Sequence, residues 1–205
     1  MTIRLEKAGK RYRMEWVFRH LDYSFEQGKR YAILGPNGSG KSTLLKVLSG
    51  FLTPSRGKVL HLRDGKPVPR EEVYRSVGIA APYVELIEEF TLLESIRFHR
   101  RFKPFLPGWT EQEVLGLLPF AAQKHKEIRY FSSGMKQRLK LALALCSDTP
   151  IVLLDEPGTN LDVQGQEWYL GLVDRLSGGR LLIVASNVQA DVAFCEERLE
   201  IINFK

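Results

Sequence analysis

The sequence predicts an α/β fold: a mainly parallel sheet built around a glycine-rich loop, with a small N-terminal antiparallel β subdomain and a helical insertion. Three observations carry this expectation. The runs "RYAIL", "SVGIAA", "PIVLL" and "RLLIVAS" are almost wholly apolar, as strands covered on both faces must be. Segments of helical spacing separate them, which is the alternation of an α/β core. Between the first such strand and the helix after it lies "GPNGSGKST", residues 35 to 43.

The elements follow in order. Residues 1 to 8 and 21 to 27 alternate apolar and polar side chains and read as strands with one solvated face. Strand 30 to 34 leads into the glycine loop. Helix 41 to 50 then sets Leu44, Leu45 and Leu48 on one face and stops near Gly50. "GKVLHLRDGKPV" reads as two strands around the turn Asp64-Gly65. Strand 76 to 81 comes next, and from Pro82 to about Leu145 the pattern is helical, giving a subdomain at about 83 to 145. "PIVLLDEP" is a buried strand ending in two acids, and "LDVQGQEWYLGLVDRL" is an amphipathic helix. Residues 180 to 186 and 198 to 203 read as further strands. The whole forms one domain, 1 to 205.

Composition narrows the class. A chain of 205 residues, 44% hydrophobic, can bury one sizeable core. No apolar run reaches the ~18 residues of a membrane span. The start "MTIRLEKAGK" is too charged for a signal peptide. Cys146 and Cys195 form no spacing motif, which suits a reduced, cytoplasmic setting. The net charge is +6, yet residues 97 to 140 alone carry +7, leaving −1 for the rest. The cluster "RFHRRFK" suits a solvated helix face, and anionic lipid or an acidic partner are its alternatives.

The loop carries the chemistry. Gly35, Gly40, Lys41 and Ser42 fit G-x-x-x-x-G-K-S/T in the strand–loop–helix context that this pattern requires, which implies a P-loop NTPase core. Residues Gly35, Pro36, Asn37, Gly38, Ser39, Gly40, Lys41, Ser42 and Thr43 would wrap the phosphates of a nucleotide. Glycines let the backbone aim its N–H groups inward, Lys41 reaches the β- and γ-phosphates, and Ser42 ligates Mg²⁺. Strand "IVLL" ends in Asp155 and Glu156. This resembles the second acidic motif of nucleotide hydrolases, which implies that Asp155 would hold Mg²⁺ and Glu156 would polarise the attacking water as general base. Solvated turn acids are the plain alternative.

"FSSGMKQRLKLALAL" stands just before this acidic strand, and "PGTNLD" just after it. In this order of motifs, over essentially all 205 residues, the sequence resembles the ATP-binding subunits of ABC transporters. The family's Leu-Ser-Gly-Gly-Gln signature falls on Phe131, Ser132, Ser133, Gly134 and Met135, of which Ser132 and Gly134 match. "SSG" also suits an ordinary helix N-cap. The resemblance implies Mg²⁺ with ATP and a second nucleotide-binding domain, closed head to tail so that Ser132, Ser133 and Gly134 face the partner's ATP. It implies a separate transmembrane subunit and a place on the cytoplasmic face of a membrane, with nucleic acid not expected. It places Asp162 in the loop along the dimer interface. It also sets Tyr12 where an aromatic stacks on adenine, an edge-strand aromatic being the alternative.

Two positions depart from the family pattern. A glutamine is expected where Pro82 stands, and a histidine where Asn187 follows "LLIVAS". Asn187 can donate a hydrogen bond to a γ-phosphate oxygen but cannot titrate as an imidazole. His20, His61, His99 and His125 lie elsewhere and are expected at the surface. Slow basal turnover follows, or an ATP-driven dimerisation switch with weak or no hydrolysis. A soluble ABC ATPase outside transport is a further alternative. Tyr83, Val84, Leu86, Ile87 and Phe90 either line a groove for a partner helix or form the insertion's own core.

Overall fold

Side-chain alternation along the strands decides how the layers stack. The computed structural model describes all residues 1–205. Its elements are β1 (Thr2–Tyr12), β2 (Glu15–Phe25), β3 (Arg30–Leu34), α1 (Lys41–Leu48), β4 (Arg56–Arg63), β5 (Lys66–Pro67), β6 (Val77–Ala80), α2 (Leu92–Phe102), α3 (Glu111–Gly116), α4 (Ser133–Cys146), β7 (Ile151–Asp155), α5 (Val163–Leu176), β8 (Leu181–Ala185), α6 (Gln189–Val192) and β9 (Glu197–Glu200).

Strands β6-β7-β8-β3-β9 form a wholly parallel sheet, and β2-β1-β4-β5 a separate antiparallel one. Successive strand residues point to opposite faces. Accordingly, Val152, Leu154, Leu182 and Val184 pack into one core with α2, α3, α4 and α5. Ile151, Leu153, Leu181 and Ile183 pack into the other, with α1 and the antiparallel sheet. All eight are fully buried, and each such side chain contributes about 1.5–3 kcal/mol. A sheet covered on both faces needs this uninterrupted apolar composition.

The antiparallel strands are longer than their alternation suggests. β1 and β2 meet in a hairpin through Arg13 and Met14. Register shifts break the period-two pattern, and Lys7 (φ 46°) and His20 (φ 54°) sit in the left-handed region. The Asp64-Gly65 turn forms as expected, with φ 52° and 78°, the hand that matches strand twist. The last expected strand is a correction: β9 ends at Glu200, and residues 201–204 turn into a 3₁₀ helix that buries Ile201.

The histidines also correct the sequence reading. His61 is buried on β4, where its Nε2 lies 2.7 Å from the Leu48 carbonyl. His99 on α2 is half-buried and lies 2.8 Å from Ser147 Oγ. Both are held by carbonyl or hydroxyl partners, which composition alone does not reveal.

Candidate functional site

Three strand ends meet at one edge of the parallel sheet. Ile33 of β3 and Asp155 of β7 both pair with Ala185 of β8, which lies between them. The chain therefore leaves all three strands at one level: β3 into the glycine loop, β7 into Glu156, β8 into Ser186 and Asn187. The Glu156 N–H donates to the Ala185 carbonyl at 2.8 Å, and the Ser186 N–H to the Ile33 carbonyl at 3.3 Å. Open α/β sheets bind ligands beyond such carboxyl ends.

Gly40 adopts φ 109°, and a Cβ there would lie 2.4 Å from Val17 Cγ1. Glycine is thus required by backbone and by space, and β2 backs the loop through Val17. Gly40 also caps α1 without a side-chain bond. The N–H groups of Lys41, Ser42 and Thr43 have no carbonyl within the helix to bond. Asn37, Gly38, Ser39 and these three residues line a cleft of about 630 Å³ that Glu156, Thr159 and Asn187 complete. Free N–H groups at the positive end of a helix dipole make an anion site. Gly35 and Pro36 turn the chain into this loop, and both offer their carbonyls to the Lys41 ammonium, at 2.8 and 3.4 Å.

Asp155 is fully buried, and neither carboxylate oxygen has a hydrogen-bond partner. Burial pushes its carboxyl above the usual range; the nearby Ser42 hydroxyl pulls the other way. A hydroxyl and an unpartnered carboxylate are the hard oxygen donors that Mg²⁺ takes, with water and phosphate completing its shell. No three His, Cys, Asp or Glu side chains cluster into a closed metal cage. The residues present therefore fit a Mg²⁺ ion that is largely held by its nucleotide.

Glu156 takes φ 47° and so turns its side chain back towards the loop. Its Oε1 lies 3.5 Å from Lys41 Nζ and its Oε2 3.2 Å from Ser186 Oγ. Asn187 Nδ2 donates to Asn37 Oδ1 at 3.1 Å. The second residue after β8 thus reaches the glycine loop.

Ser132 N-caps α4 by accepting from the Met135 N–H at 3.2 Å. With Ser133, Gly134, Asn160 and Asp162 it lines a second cleft of about 490 Å³. The two clefts share no residue. Asp162 N-caps α5 and accepts from Arg138 of α4 at 2.9 Å. Gln137 of α4 donates to the Pro157 carbonyl at 2.9 Å, next to Glu156.

Tyr12 is half-exposed at the end of β1 and does not itself line this cleft. Beyond Pro82, the Tyr83 ring lies 3.9 Å from Lys46 Nζ. Its buried hydroxyl has no hydrogen-bond partner, and burial, then the Asp155 charge, push it up. Tyr83 and Val84 line a groove of about 670 Å³ with Phe51, Tyr74 and Lys103. Leu86 packs on the core instead, Phe90 packs edge-on against Phe98, and Ile87 is exposed. The sequence offered groove or core; the stretch divides between them. In the basic cluster, Arg97, Arg100 and Arg101 are exposed, while Lys103 donates to the Tyr74 and Val77 carbonyls. Val17, Thr159, Ser186 and Asp191 are the site neighbours that the sequence did not single out.

A family model described as "ABC transporter" matches residues 18–159. A Nod factor export ATP-binding protein I of Neorhizobium galegae is 36% identical over 167 residues, covering 79% of this chain and 48% of its own. That of Cupriavidus pinatubonensis is 29% identical over 208 residues, covering 98% and 62%. The chain thus spans about half to two thirds of the length of these relatives. Among solved structures, a dimeric ATP-binding cassette in a post-hydrolysis state bound to ADP and Pi superposes with a TM-score of 0.85 at 24% identity, over 97% of this chain and 94% of that one. No helix here is long and apolar enough to cross a membrane.

Proposed function

This chain belongs to the ABC transporter family of ATP-binding proteins, and from that premise we propose that it binds and hydrolyses Mg·ATP as half of a head-to-tail dimer and powers transport through a separate membrane subunit. The observation that carries this reading is the division of parts between two clefts. Lys41, Ser42 and Glu156 line one, with Asp155 buried near Ser42, and Ser132 and Gly134 line the other. A nucleotide held by one chain's loop is completed by a second chain's signature helix, so two chains close on two ATP molecules.

Within the first cleft each group has a task. The loop N–H groups and Lys41 hold phosphate, and Ser42 and Asp155 hold Mg²⁺, which supplies charge neutralisation for the phosphates when bound. Glu156 orients a water and takes its proton. Asn187 donates to the charge that develops on the γ-phosphate. The groove with Phe51, Tyr74, Tyr83 and Val84 receives a helix of the membrane subunit, which puts the chain on the cytoplasmic face. The export proteins among its relatives favour export.

The experiment is phosphate release by purified protein at saturating Mg·ATP, with size-exclusion chromatography of the same samples. Pro82 and Asn187 support a second reading, a dimerisation switch with little turnover. ATP-dependent dimers with negligible phosphate release would select that one.

A further inference from the structure

Helix α2 buries Leu92, Leu93, Ser95 and Ile96 against the core, yet its outer face is not simply polar. Phe98 and Phe102 stand on it, 40% and 64% exposed. Their ring centres lie 5.0 Å apart, and Phe90, on the loop before the helix, extends the row at 5.2 Å from Phe98. Apolar side chains scattered singly over a surface are ordinary, but rings stacked in a row make a patch.

Arg97 and Arg101 occupy the helix positions next to Phe98 and Phe102. Each pair is four residues apart and so shares one face. Both arginines are exposed, and no carboxylate pairs with either. Acids close by in the chain are engaged elsewhere. Glu111 pairs with Arg100 at 2.7 Å and Glu88 with Lys136 at 2.5 Å. Glu94 accepts from the N–H and the hydroxyl of Thr91. Glu85 and Glu89 are left to offset the two free cations, and residues 97 to 140 still net +7. The helix ends at the groove that holds Phe51, Tyr74 and Tyr83: Lys103, directly after Phe102, lines it.

We propose that the outer face of α2 rests on anionic lipid headgroups beside the membrane subunit, with Arg97 and Arg101 against phosphate and Phe98 and Phe102 at the boundary of headgroups and acyl chains. This rests on the reading that the groove seats a helix of that subunit, which brings the adjoining face to the bilayer. A row of apolar rings beside a row of cations is the pattern of a helix that lies in a membrane interface. The cytoplasmic leaflet supplies the complementary negative charge. An acidic peptide would also attract the arginines, but a peptide needs a recess for its own side chains. Arg97, Phe98, Arg101 and Phe102 line none of the larger clefts.

The test is co-sedimentation of the purified chain with excess vesicles, made of phosphatidylcholine alone or mixed in equal parts with phosphatidylglycerol. Wild type should pellet with the anionic vesicles only, and less as salt rises, because exposed charges are screened. Arg97→Gln/Arg101→Gln should weaken the partition about 25-fold, about fivefold for each arginine near an anionic surface. Phe98→Ser/Phe102→Ser should weaken it at least about tenfold by removing the rings that enter the interface. Lys58→Gln/Lys66→Gln removes the same charge from exposed positions on the antiparallel sheet, and should change it less than about twofold. All three variants should keep the wild-type ATP affinity by calorimetry, which shows that they are folded. Equal sedimentation with both kinds of vesicle, or equal losses in the arginine and lysine variants, overturns the proposal. So does a chain that ignores the anionic vesicles, and an acidic protein segment is then the partner left for this face. The vesicles hold no protein, so the result does not depend on whether the groove seats a membrane subunit. Phosphate release in the same samples reports the ATPase reading separately.

Discussion

The Lys41 ammonium lies 2.8 Å from the Gly35 carbonyl and 3.5 Å from Glu156 Oε1, so one cation bridges the phosphate loop and the acid that follows β7. Its side chain is only 5% exposed, which keeps water from screening it. A phosphate entering the loop takes this ammonium as a charge-assisted partner. Lys41→Ala should weaken ATP binding at least about tenfold, since a hydrogen bond to a charged group contributes about 1.5–3 kcal/mol. Calorimetry checks it, and equal affinities in mutant and wild type would rule out the contact.

Glu156→Gln should retain Mg·ATP binding while phosphate release falls about 10²-fold or more, because the amide keeps the shape and cannot accept the proton. ATP then persists at the interface, and dimers accumulate. Size-exclusion chromatography with Mg·ATP reads this directly. A variant that stays monomeric at every concentration would show that the sandwich needs a different partner chain.

Gly134 opens α4 with its Cα pressed against the loop after β7: a Cβ would lie 2.8 Å from the Asn160 carbonyl. Gly134→Asp therefore adds bulk at a contact with no room, and a negative charge where the partner's γ-phosphate is expected. Dimerisation with Mg·ATP should be lost, while calorimetric ATP affinity of the monomer stays within about twofold, because Gly134 does not line the nucleotide cleft. A parallel loss of both would show that the signature cleft is not a separate site.

The parallel core was legible because its signals are local. Strand β3 occupies the expected residues 30 to 34, and "IVLL" with its two acids forms β7 and its exit. The phosphate loop is contiguous in sequence, so spacing alone assembles it. The Ser186–Asp191–Gln166 cluster, in which Ser186 and Gln166 both donate to the Asp191 carboxylate, draws on β8, α6 and α5, and only folding brings these together. Burial of His61 and His99 was hidden for the same reason. The hairpin of β1 and β2 was underread because its register shifts destroy alternation where the strands are most exposed.

His99 supplies a pH dependence. Burial, then the charge of Lys103, hold its imidazole down at about 4. Ser147 Oγ donates to the Leu143 carbonyl at 2.6 Å, so it accepts from His99 Nε2 at 2.8 Å, which suits a neutral ring. A depressed folded value means stability that is present above the unfolded value of ~6.5 and lost as pH falls towards 4. About 1–3 kcal/mol should disappear across that window. His99→Gln keeps a donor for Ser147 and has nothing to titrate. Urea unfolding at pH 7 and 4.5 should show a smaller loss for the variant, and identical losses would refute the assignment.

Asn187 is the residue proposed to complete the hydrolytic site. On the proposed reading the loop "GPNGSGKST" holds phosphates, but cleavage needs groups aimed at the charge forming on the γ-phosphate. Asn187 is exposed at the exit of β8, and its amide donates to Asn37 Oδ1 at 3.1 Å, across the mouth of the nucleotide cleft. That bond turns its donor towards the loop. An amide hydrogen-bonds but does not exchange a proton near neutral pH, so it recovers part of what a positioned acid–base group contributes, about 10²–10⁴-fold. Asn187→Ala should lower kcat about tenfold with ATP still bound, since a lost donor costs ~1–3 kcal/mol. It also frees Asn37, so the calorimetric control matters. Asn187→His should raise the rate, provided Pro82 is not the larger defect; the imidazole then introduces a pH step near ~6.5 that the wild type lacks. Steady-state phosphate release of all three proteins at saturating Mg·ATP, over roughly pH 5.5 to 8, decides it. If Asn187→Ala hydrolyses as fast as wild type, the amide does not contact the reacting phosphate, and its bond to Asn37 only shapes the loop.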